Sequence, residues 1–304
     1  MEMIKAREKP ALLTILELLD KRMTLSSAEK QHLYAMSKGY DGEVLFDSMI
    51  EKYIDTDVLI LNDLSLISGT TPFQIDSVVL TSDTLYLYEV KNFEGKYTNR
   101  SGQFHSGSGQ ELINPVNQLS RTATLLSKML KKWKLTIPVQ TAVVFVNPTF
   151  VLYEAEEHHP FIFPSQIATH FTAVNQRKGP LSTKHHSIAQ KLMEETQKEL
   201  PYRRQLPYYD FNELKKGLPC SRCGSFDLKH TTKKSRCQVC DTVTSVNELV
   251  LAQVKAFKIL FPDRLVTSNN IYDWCNSMLP KRRITAILNT AYKRKGHSKA
   301  THYC

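Results

Sequence analysis

The chain reads as an α/β protein, a mixed sheet flanked by helices, followed by a small four-cysteine module and an all-α tail. Three observations predict this. Residues alternate through Gln74–Leu80 and Leu85–Lys91 with the period of a β-strand, and Pro138–Asn147 is a strand-length run that is apolar on both faces. Helical signals mark Gly42–Phe46, the segment after Pro115 and Asn247–Phe261. Between the α/β part and the tail stand two Cys-x-x-Cys pairs, Cys220 with Cys223 and Cys237 with Cys240. The expected organisation is a helical extension over residues 1–37, an α/β domain over 38–150 and a mixed connecting region over 151–216. The cysteine module takes 217–245 and a basic helical module takes 246–304.

The elements follow in order. The apolar run Ala11–Leu16 is cut by Glu17 and Asp20, which makes it an amphipathic helix rather than a signal peptide. Gly42-Glu43-Val44-Leu45-Phe46 reads as a helix. Gln74–Leu80 and Leu85–Lys91 read as a hairpin. In its second strand Leu85, Leu87, Glu89 and Lys91 share one face, while Tyr86, Tyr88 and Val90 share the other. Two charges therefore continue an apolar face. A turn centred on Ser82-Asp83 sets Asp76 opposite Glu89, with Cβ atoms about 5 Å apart. Like charges at that range repel unless a cation lies between them. A divalent, oxygen-seeking ion such as Mg²⁺ (or Mn²⁺) suits the position. A turn one residue longer would flip the register and remove the argument.

Further on, Asn114-Pro115 is a helix start that places Gln118 in the first turns. The strand Pro138–Asn147 is apolar on both faces and belongs inside the sheet. A polar helix is expected near Ser187–Leu200, and a Pro/Tyr-rich linker around Pro201–Tyr209. Gly102–Gly109 lacks the ending of a phosphate loop and reads as a turn or mobile loop. His158-His159 and His185-His186 have no partners at metal-ligand spacing and read as surface residues.

Four segments in fixed order, Tyr40-Asp41-Gly42-Glu43, Gln74-Ile75-Asp76, Glu89-Val90-Lys91-Asn92-Phe93-x-Gly95 and Asn114-Pro115-x-x-Gln118, resemble the nuclease-related domain (NERD) of the PD-(D/E)xK nuclease superfamily. The resemblance covers roughly residues 38–150. Ile75 stands where the superfamily's name has Pro. It implies a restriction-endonuclease-like mixed sheet and a metal-dependent nuclease site. In that site Asp76 and Glu89 would be anionic ligands to Mg²⁺ (or Mn²⁺), and the Val90 carbonyl a third. Lys91 would stand beside the attacking water, orienting it or stabilising charge on the phosphate. Glu43 would complete the site from its helix and Gln118 would face it. Each of the last two has a plainer reading: a helix carboxylate favoured by the macrodipole, and a polar residue on a helix surface.

Composition and charge bound the rest. With 304 residues and 41% hydrophobic, the chain is globular with room for two or three domains. No run of about 18 apolar residues occurs, so no membrane span is expected and the cytoplasm is the expected location. The net charge of +10 is uneven: residues 202–304 hold 19 Lys/Arg and 7 Asp/Glu, leaving 21 and 23 for residues 1–201. An excess of +12 in the last third is the footprint of phosphate-backbone binding.

The two cysteine pairs are separated by thirteen residues, the spacing of a four-thiolate structural zinc site, with Gly224 permitting a tight knuckle. Phe226–Thr231 can supply strands, giving a zinc ribbon. With four thiolates, Zn²⁺ would have no open position and would fold the module rather than catalyse. Cys275 and Cys304 lack partners at metal spacing. In the tail, Asn247–Phe261 is stopped by Pro262. Ile271, Trp274 and Met278 mark a second helix, and Pro280 opens a third whose stripe is Ile284, Ile287, Leu288 and Tyr292. This is a helix-turn-helix-like pattern. Lys281, Arg282 and Arg283 occupy the first turn of its last helix, and Lys293, Arg294 and Lys295 begin a basic wing, a set suited to double-stranded DNA. A helical bundle with a solvated basic surface is the plainer alternative.

Together these readings give an Mg²⁺-dependent endonuclease-like protein acting on DNA, brought to the duplex by the ribbon and the tail. Two other readings stay open at this level: a DNA-binding regulatory protein with a nuclease-like fold that does not cut, and a nuclease acting on RNA.

Overall fold

A computed structural model of the protein describes residues 1–177, 179–196, 206–297 and 300–304. Its first half contains β1 (Glu2–Lys5), α1 (Ala11–Asp20), α2 (Ser27–Tyr53), β2 (Leu59–Ser68), β3 (Thr71–Leu80), β4 (Leu85–Lys91), β5 (Lys96–Arg100), β6 (Gln103–Ser106), β7 (Glu111–Leu112), α3 (Pro115–Lys132) and β8 (Val139–Phe145). Then come β9 (Val151–Tyr153), β10 (Phe161–Ile162), α4 (Ile167–Asn175), α5 (Thr183–Glu195), β11 (Leu228–His230), β12 (Lys234–Cys237) and β13 (Val243–Ser245). The tail holds α6 (Val246–Leu260), α7 (Ser268–Trp274), α8 (Lys281–Ala291), β14 (Arg294–Lys295) and β15 (His302–Tyr303). The chain divides into two units: residues 1–9 with 34–202, and residues 10–33 with 203–304. No described helix is long and apolar enough to cross a membrane.

The first unit is built on a mixed six-stranded sheet of order β1-β2-β3-β4-β8-β10. β2, β3 and β4 are antiparallel neighbours, whereas β1 on β2, β8 on β4 and β10 on β8 are parallel. The hairpin has the register expected from a turn at Ser82-Asp83: Ser77 faces Tyr88 and Leu80 faces Leu85, and the Thr81 N–H closes the turn on the Thr84 carbonyl at 2.9 Å. Leu85 and Leu87 are buried in one core with Leu119, Leu126 and Leu192; Tyr86 and Tyr88 are buried in another with Phe46, Ile50 and Phe171. Helices α3 and α5 thus serve one face, α2 and α4 the other. Two-sided burial explains why β4 and β8 are nearly continuous apolar runs. Each large apolar side chain so buried contributes about 1.5–3 kcal/mol.

The site is positioned by the point where this hairpin ends as a ladder. The last pair is Ser77 with Tyr88, so the next facing positions are Asp76 and Glu89. Beyond them β3 continues only against β2, as far as Thr71, while β4 continues only against β8, as far as Lys91. The two strands separate there. On β2, Asp63 lies between the pairs Asn62–Ser77 and Leu64–Ile75 and adopts φ +53°, a left-handed conformation costly for a side chain other than glycine.

Several segments differ from expectation. Residues 1–37 do not form one helical extension: Glu2–Lys5 is an edge strand, too short to display a period, and Pro10–Leu33 belongs to the second unit. The helix around Glu43 is longer than its apolar signal, because only Gly42, Phe46 and Ile50 of α2 are buried. Gly102–Gly109, expected as a turn or mobile loop, has a turn at each end with strand β6 between them, and residues 96–112 around it are mostly strand. They supply β5, β6 and β7 of a four-stranded sheet with β9, and Ser101 (φ +51°) and Gly102 (φ +78°) make the two-residue left-handed turn that suits a hairpin. His185 is buried, its Nδ1 accepting the Ser182 N–H at 2.8 Å. The helix expected near Ser187–Leu200 is α5, ending at Glu195; positions 197–200, and 201–205 of the expected linker, lie outside the described residues.

In the second unit, β11, β12 and β13 form an antiparallel sheet, and α6, α7 and α8 pack on one another with β14 and β15 paired behind them. Helix α7 ends at Trp274, short of Met278. Helix α1 packs on α6. Arg22, just past α1, holds this unit together from inside. Its guanidinium lies 3.9 Å from the Trp274 ring centroid and donates to the Lys215 carbonyl and Gln253 Oε1, each at 2.5 Å. Burial pulls its pKa down to about 10, since its partners are dipoles and a ring rather than a carboxylate.

Two glycines of α2 test the packing that carries Glu43. A Cβ on Gly42 would collide with the Asn92 side chain, directly after β4, whereas a Cβ on Gly39 would meet nothing within 4 Å. Gly42→Ala should destabilise the protein by about 1–3 kcal/mol, and Gly39→Ala should stabilise it by about 0.5–1 kcal/mol. Urea denaturation of the two variants checks the opposite signs.

Candidate active site and cysteine cluster

Asp76 and Glu89 are buried where β3 and β4 part. Asp76 Oδ2 accepts the Val90 N–H at 2.8 Å, taking the place of a ladder bond. The carbonyl of a strand residue points to the same edge as its N–H, so the Val90 carbonyl also faces β3. Lys91 Nζ donates to Glu89 Oε1 at 2.7 Å and to Gln118 Oε1 at 3.1 Å. Gln118 is brought there by the start of α3, where Asn114 Oδ1 caps the Val116 N–H at 2.9 Å. Glu43, one turn before the buried Phe46 of α2, is close enough for its charge to couple to Asp76. The structure therefore brings Glu43, Asp76, Glu89, Lys91 and Gln118 into one cluster.

Four residues that sequence reasoning did not single out complete it: Lys5, Arg7, Asp47 and Asp63. Arg7 has a side chain only 3% exposed. Its Nη1 donates to Glu43 Oε2 at 2.7 Å, its Nε and Nη2 bind Asp47 at 2.8 and 3.0 Å, and Nη2 also reaches the Asp76 carbonyl at 2.9 Å. Asp47 stands four residues after Glu43 on α2, a spacing that puts both on one helix face and could have flagged it. Asp63 is held by Gln74 Nε2 at 3.0 Å, with Lys5 Nζ at 3.8 Å. Arg7 and Lys5 carried no such signal: Lys5 ends a short strand far upstream, and Arg7 follows it by two residues.

The cluster is short of positive charge. Glu43, Asp47, Asp76 and Glu89 face Arg7 and Lys91, a deficit of two charges. Burial, then Asp76, pushes the Glu43 pKa up to about 8 despite Arg7; burial, then Asp76, pushes Glu89 up to about 7 despite Lys91. Burial raises Asp76 as well. Such carboxylates ionise together only if a cation joins them. Carboxylate and carbonyl oxygens are hard donors, which fit Mg²⁺ or Mn²⁺ better than a thiophilic metal.

The four cysteines converge in the second unit. Cys220 and Cys240 sulfurs lie 3.6 Å apart, Cys223 and Cys237 sulfurs 3.5 Å apart, and all four fall within 4.8 Å of one another. A tetrahedron with Zn–S bonds of ~2.3 Å has edges of about 3.8 Å, so the set is compatible with zinc. Each pair forms the same knuckle: Arg222 N–H points at Cys220 Sγ and Val239 N–H at Cys237 Sγ, both at 3.4 Å, and the residue after each pair, Gly224 or Asp241, is left-handed at φ +72° or +57°. Sequence marked the first turn by its glycine. The second is hidden by an aspartate. In the tail, Lys281 and Arg282 are exposed at the start of α8, Arg283 donates to Asn247 Oδ1 at 3.0 Å, and Lys293, Arg294 and Lys295 are exposed at or beside β14.

Residues 38–146, about a third of the chain, match the model of the nuclease-related domain. That class implies a nuclease-like, hydrolytic function on nucleic acid with a divalent metal. No curated protein matches the chain. Among solved structures, protein VC1899 from Vibrio cholerae is similar at 10% identity with a TM-score of 0.24, over 55% of this chain and 50% of that one. A likeness at that score carries no argument, and the match spans half of that protein's length.

Two outcomes follow. The folded protein keeps protons on Glu43 and Glu89 up to about pH 8 and about pH 7, whereas the unfolded chain releases them near 4.5. It therefore binds more protons across that window and loses stability as pH rises through it. In EDTA the thermal midpoint should fall from about pH 5 to about pH 8, more steeply in Arg7→Ala, and Mg²⁺ should restore most at the alkaline end; scanning calorimetry reads this. Separately, the purified protein should carry one zinc per chain by elemental analysis, and Cys237→Ser should lose it together with the cooperative unfolding of the second unit.

Proposed function

We propose that the protein is a metal-dependent endonuclease-like enzyme that hydrolyses DNA phosphodiester bonds, with Mg²⁺ or Mn²⁺ held by Asp76, Glu89 and the Val90 carbonyl. The observation that carries this reading is the cluster itself: Lys91 bonded to both Glu89 and Gln118, beside Asp76, in an opening of the sheet that lacks two positive charges. A bound divalent ion would supply a Lewis acid for the phosphoryl oxygen and a lower pKa for its water.

The chain's own residues divide the remaining work. Lys91, fixed at two points, presents its third ammonium hydrogen for a water or a phosphate oxygen. Gln118 holds that ammonium from the start of α3, opposing its free rotation about the Glu89 contact. Arg7 fixes the Glu43 carboxylate, so that Glu43 completes the acidic ring without moving. Asp76, tied to the Val90 N–H, keeps its other oxygen free for the metal.

The second unit supports DNA as the substrate. Helices α7 and α8 pack as a pair, the exposed Lys281 and Arg282 open α8, and the β14–β15 pair follows with Arg294 and Lys295 on it. A helix pair followed by a basic two-stranded wing suits duplex DNA: the last helix's first turn would enter the major groove, and the wing would contact the backbone. Zn²⁺ on Cys220, Cys223, Cys237 and Cys240 would keep the ribbon folded. The reducing cytoplasm is the compartment that keeps those thiolates available.

The test is nicking of supercoiled plasmid by the purified protein with Mg²⁺, with Mn²⁺ and with EDTA, beside Asp76→Asn and Lys91→Ala variants of equal zinc content. The expected result is metal-dependent cutting reduced by each substitution about 10²-fold or more. Cutting that survives both changes, or an unaltered protein that binds the plasmid without cutting, overturns the catalytic reading. Faster cleavage of a structured RNA would overturn the choice of DNA.

A further inference from the structure

The charge of the first unit is unevenly placed along its chain. Between Glu111 and Glu154 there is no Asp or Glu, yet the stretch contains Arg121, Lys128, Lys131, Lys132 and Lys134, in a region whose overall balance is negative. Four of these five lie on α3. At about 100° per residue, Arg121, Lys128, Lys131 and Lys132 fall within about 100° of the helix circumference, opposite the row Leu119, Leu126, Met129 and Leu130 that α3 buries. All four are exposed, and among the described residues none is engaged by a carboxylate. The attraction of a helix C-terminus for cations accounts for Lys131 and Lys132. It does not account for Arg121 or Lys128, which lie earlier.

The surface between these cations is grooved, with hydroxyls and an amide set among apolar side chains such as Val116, Ala123 and Pro160. One shallow groove is lined by Asn117, Ser120, Arg121, Thr124, Leu125 and Lys128, and its neighbour adds Ser127, Lys131 and Thr141. Neither wall contains a carboxylate. Unpaired ammonium and guanidinium groups interleaved with hydroxyls and an amide are the donor set that binds phosphodiester oxygens without reading bases. The row also has a fixed origin, because Gln118, in the first turns of the same helix, is bonded to Lys91. From Gln118 to Lys132 the helix rises about 21 Å, about six base-pair steps at 3.4 Å.

We propose that the outer face of α3 is a second nucleic-acid-binding surface, one that holds the phosphodiester backbone as it leaves the acidic cluster. Its direction, outward from a cleavage point, rests on the nuclease reading above; its existence as a polyanion-binding face does not. The need for it is electrostatic. A phosphate strand approaching Glu43, Asp76 and Glu89 is repelled by an acid-leaning unit, and charges more than about 10 Å away are screened at ordinary salt. A local positive strip starting at the cluster offsets that repulsion where the strand must lie.

The test uses the full chain and a fluorescein-labelled DNA duplex in EDTA, with binding read by anisotropy across a salt series. One variant replaces Arg121, Lys128, Lys131 and Lys132 with Gln. A control of equal charge change replaces Lys52, Lys96, Lys184 and Lys191 with Gln. The α3 variant should lose at least about tenfold in affinity, and its slope of log K against log salt should shrink by roughly 3, at about 0.9 per phosphate contact. The control should shift the slope by less than about 1. A single Lys128→Glu change, mid-helix and exposed, should weaken binding more than Lys184→Glu. If the α3 variant matches the control in affinity and slope, the surface is overturned, whether or not the unaltered protein cuts plasmid. If the unaltered protein cuts nothing but the α3 variant shows the loss, the surface stands and the nuclease reading falls.

Discussion

The constraint on which the first unit depends is the repulsion among carboxylates buried at one point of its sheet. Asp76 and Glu89 face each other from adjacent strands, and Glu43 and Asp47 approach from α2. Left alone, such a group would neutralise itself by taking protons or expel its members into water. The surrounding structure prevents the second outcome. The strands separate, Asp76 accepts a backbone N–H in place of a ladder bond, and a buried arginine and a strand lysine each hold one side. Asp63 takes a strained backbone conformation directly opposite Asp76. Strain of this kind, about 1–3 kcal/mol, persists only where neighbours over-determine it.

Two buried arginines show how differently one side chain can be satisfied. Arg7 is enclosed by Glu43 and Asp47, whose charges and hydrogen bonds outweigh the cost of burial and raise its pKa. Arg22 receives carbonyl oxygens, an amide and the face of Trp274, and burial lowers its pKa to about 10. The first arrangement answers a local excess of negative charge. The second has no such excess to answer; its return is geometric, since planar donors and a flat cation fix the end of α1, the 215–217 segment, α6 and α7 at once.

What the sequence revealed and what it hid have physical explanations. The facing of Asp76 and Glu89 was legible because a tight turn and a strand period of two leave one register compatible with the apolar pattern. Gln118 was legible from its Asn-Pro helix start, and the cysteines from their spacing. Arg7 was hidden because nothing local marks it: its meaning comes from partners 36 and 40 residues away in sequence. The β5–β6 hairpin was hidden because its strands are short and polar, so that only Ser101-Gly102 signalled it. The charge on α3 was hidden by arithmetic: totals over residues 1–201 cancel a basic helix against an acidic remainder.

The interleaving of the two units has a consequence for how the protein is made. Helix α1 is made well before α6, on which it packs, because α6 begins some 227 residues after α1's last leucine. At the usual 5–20 residues per second, that is a wait of about 10–45 s. Throughout it Leu12, Leu13, Ile15, Leu16 and Leu19, all buried in the finished fold, lack the helix that α1 packs on. The first unit, by contrast, has its whole sheet once β10 has been made. A growing chain would thus hold a finished six-stranded sheet while an apolar helix made earlier still waits for its partner.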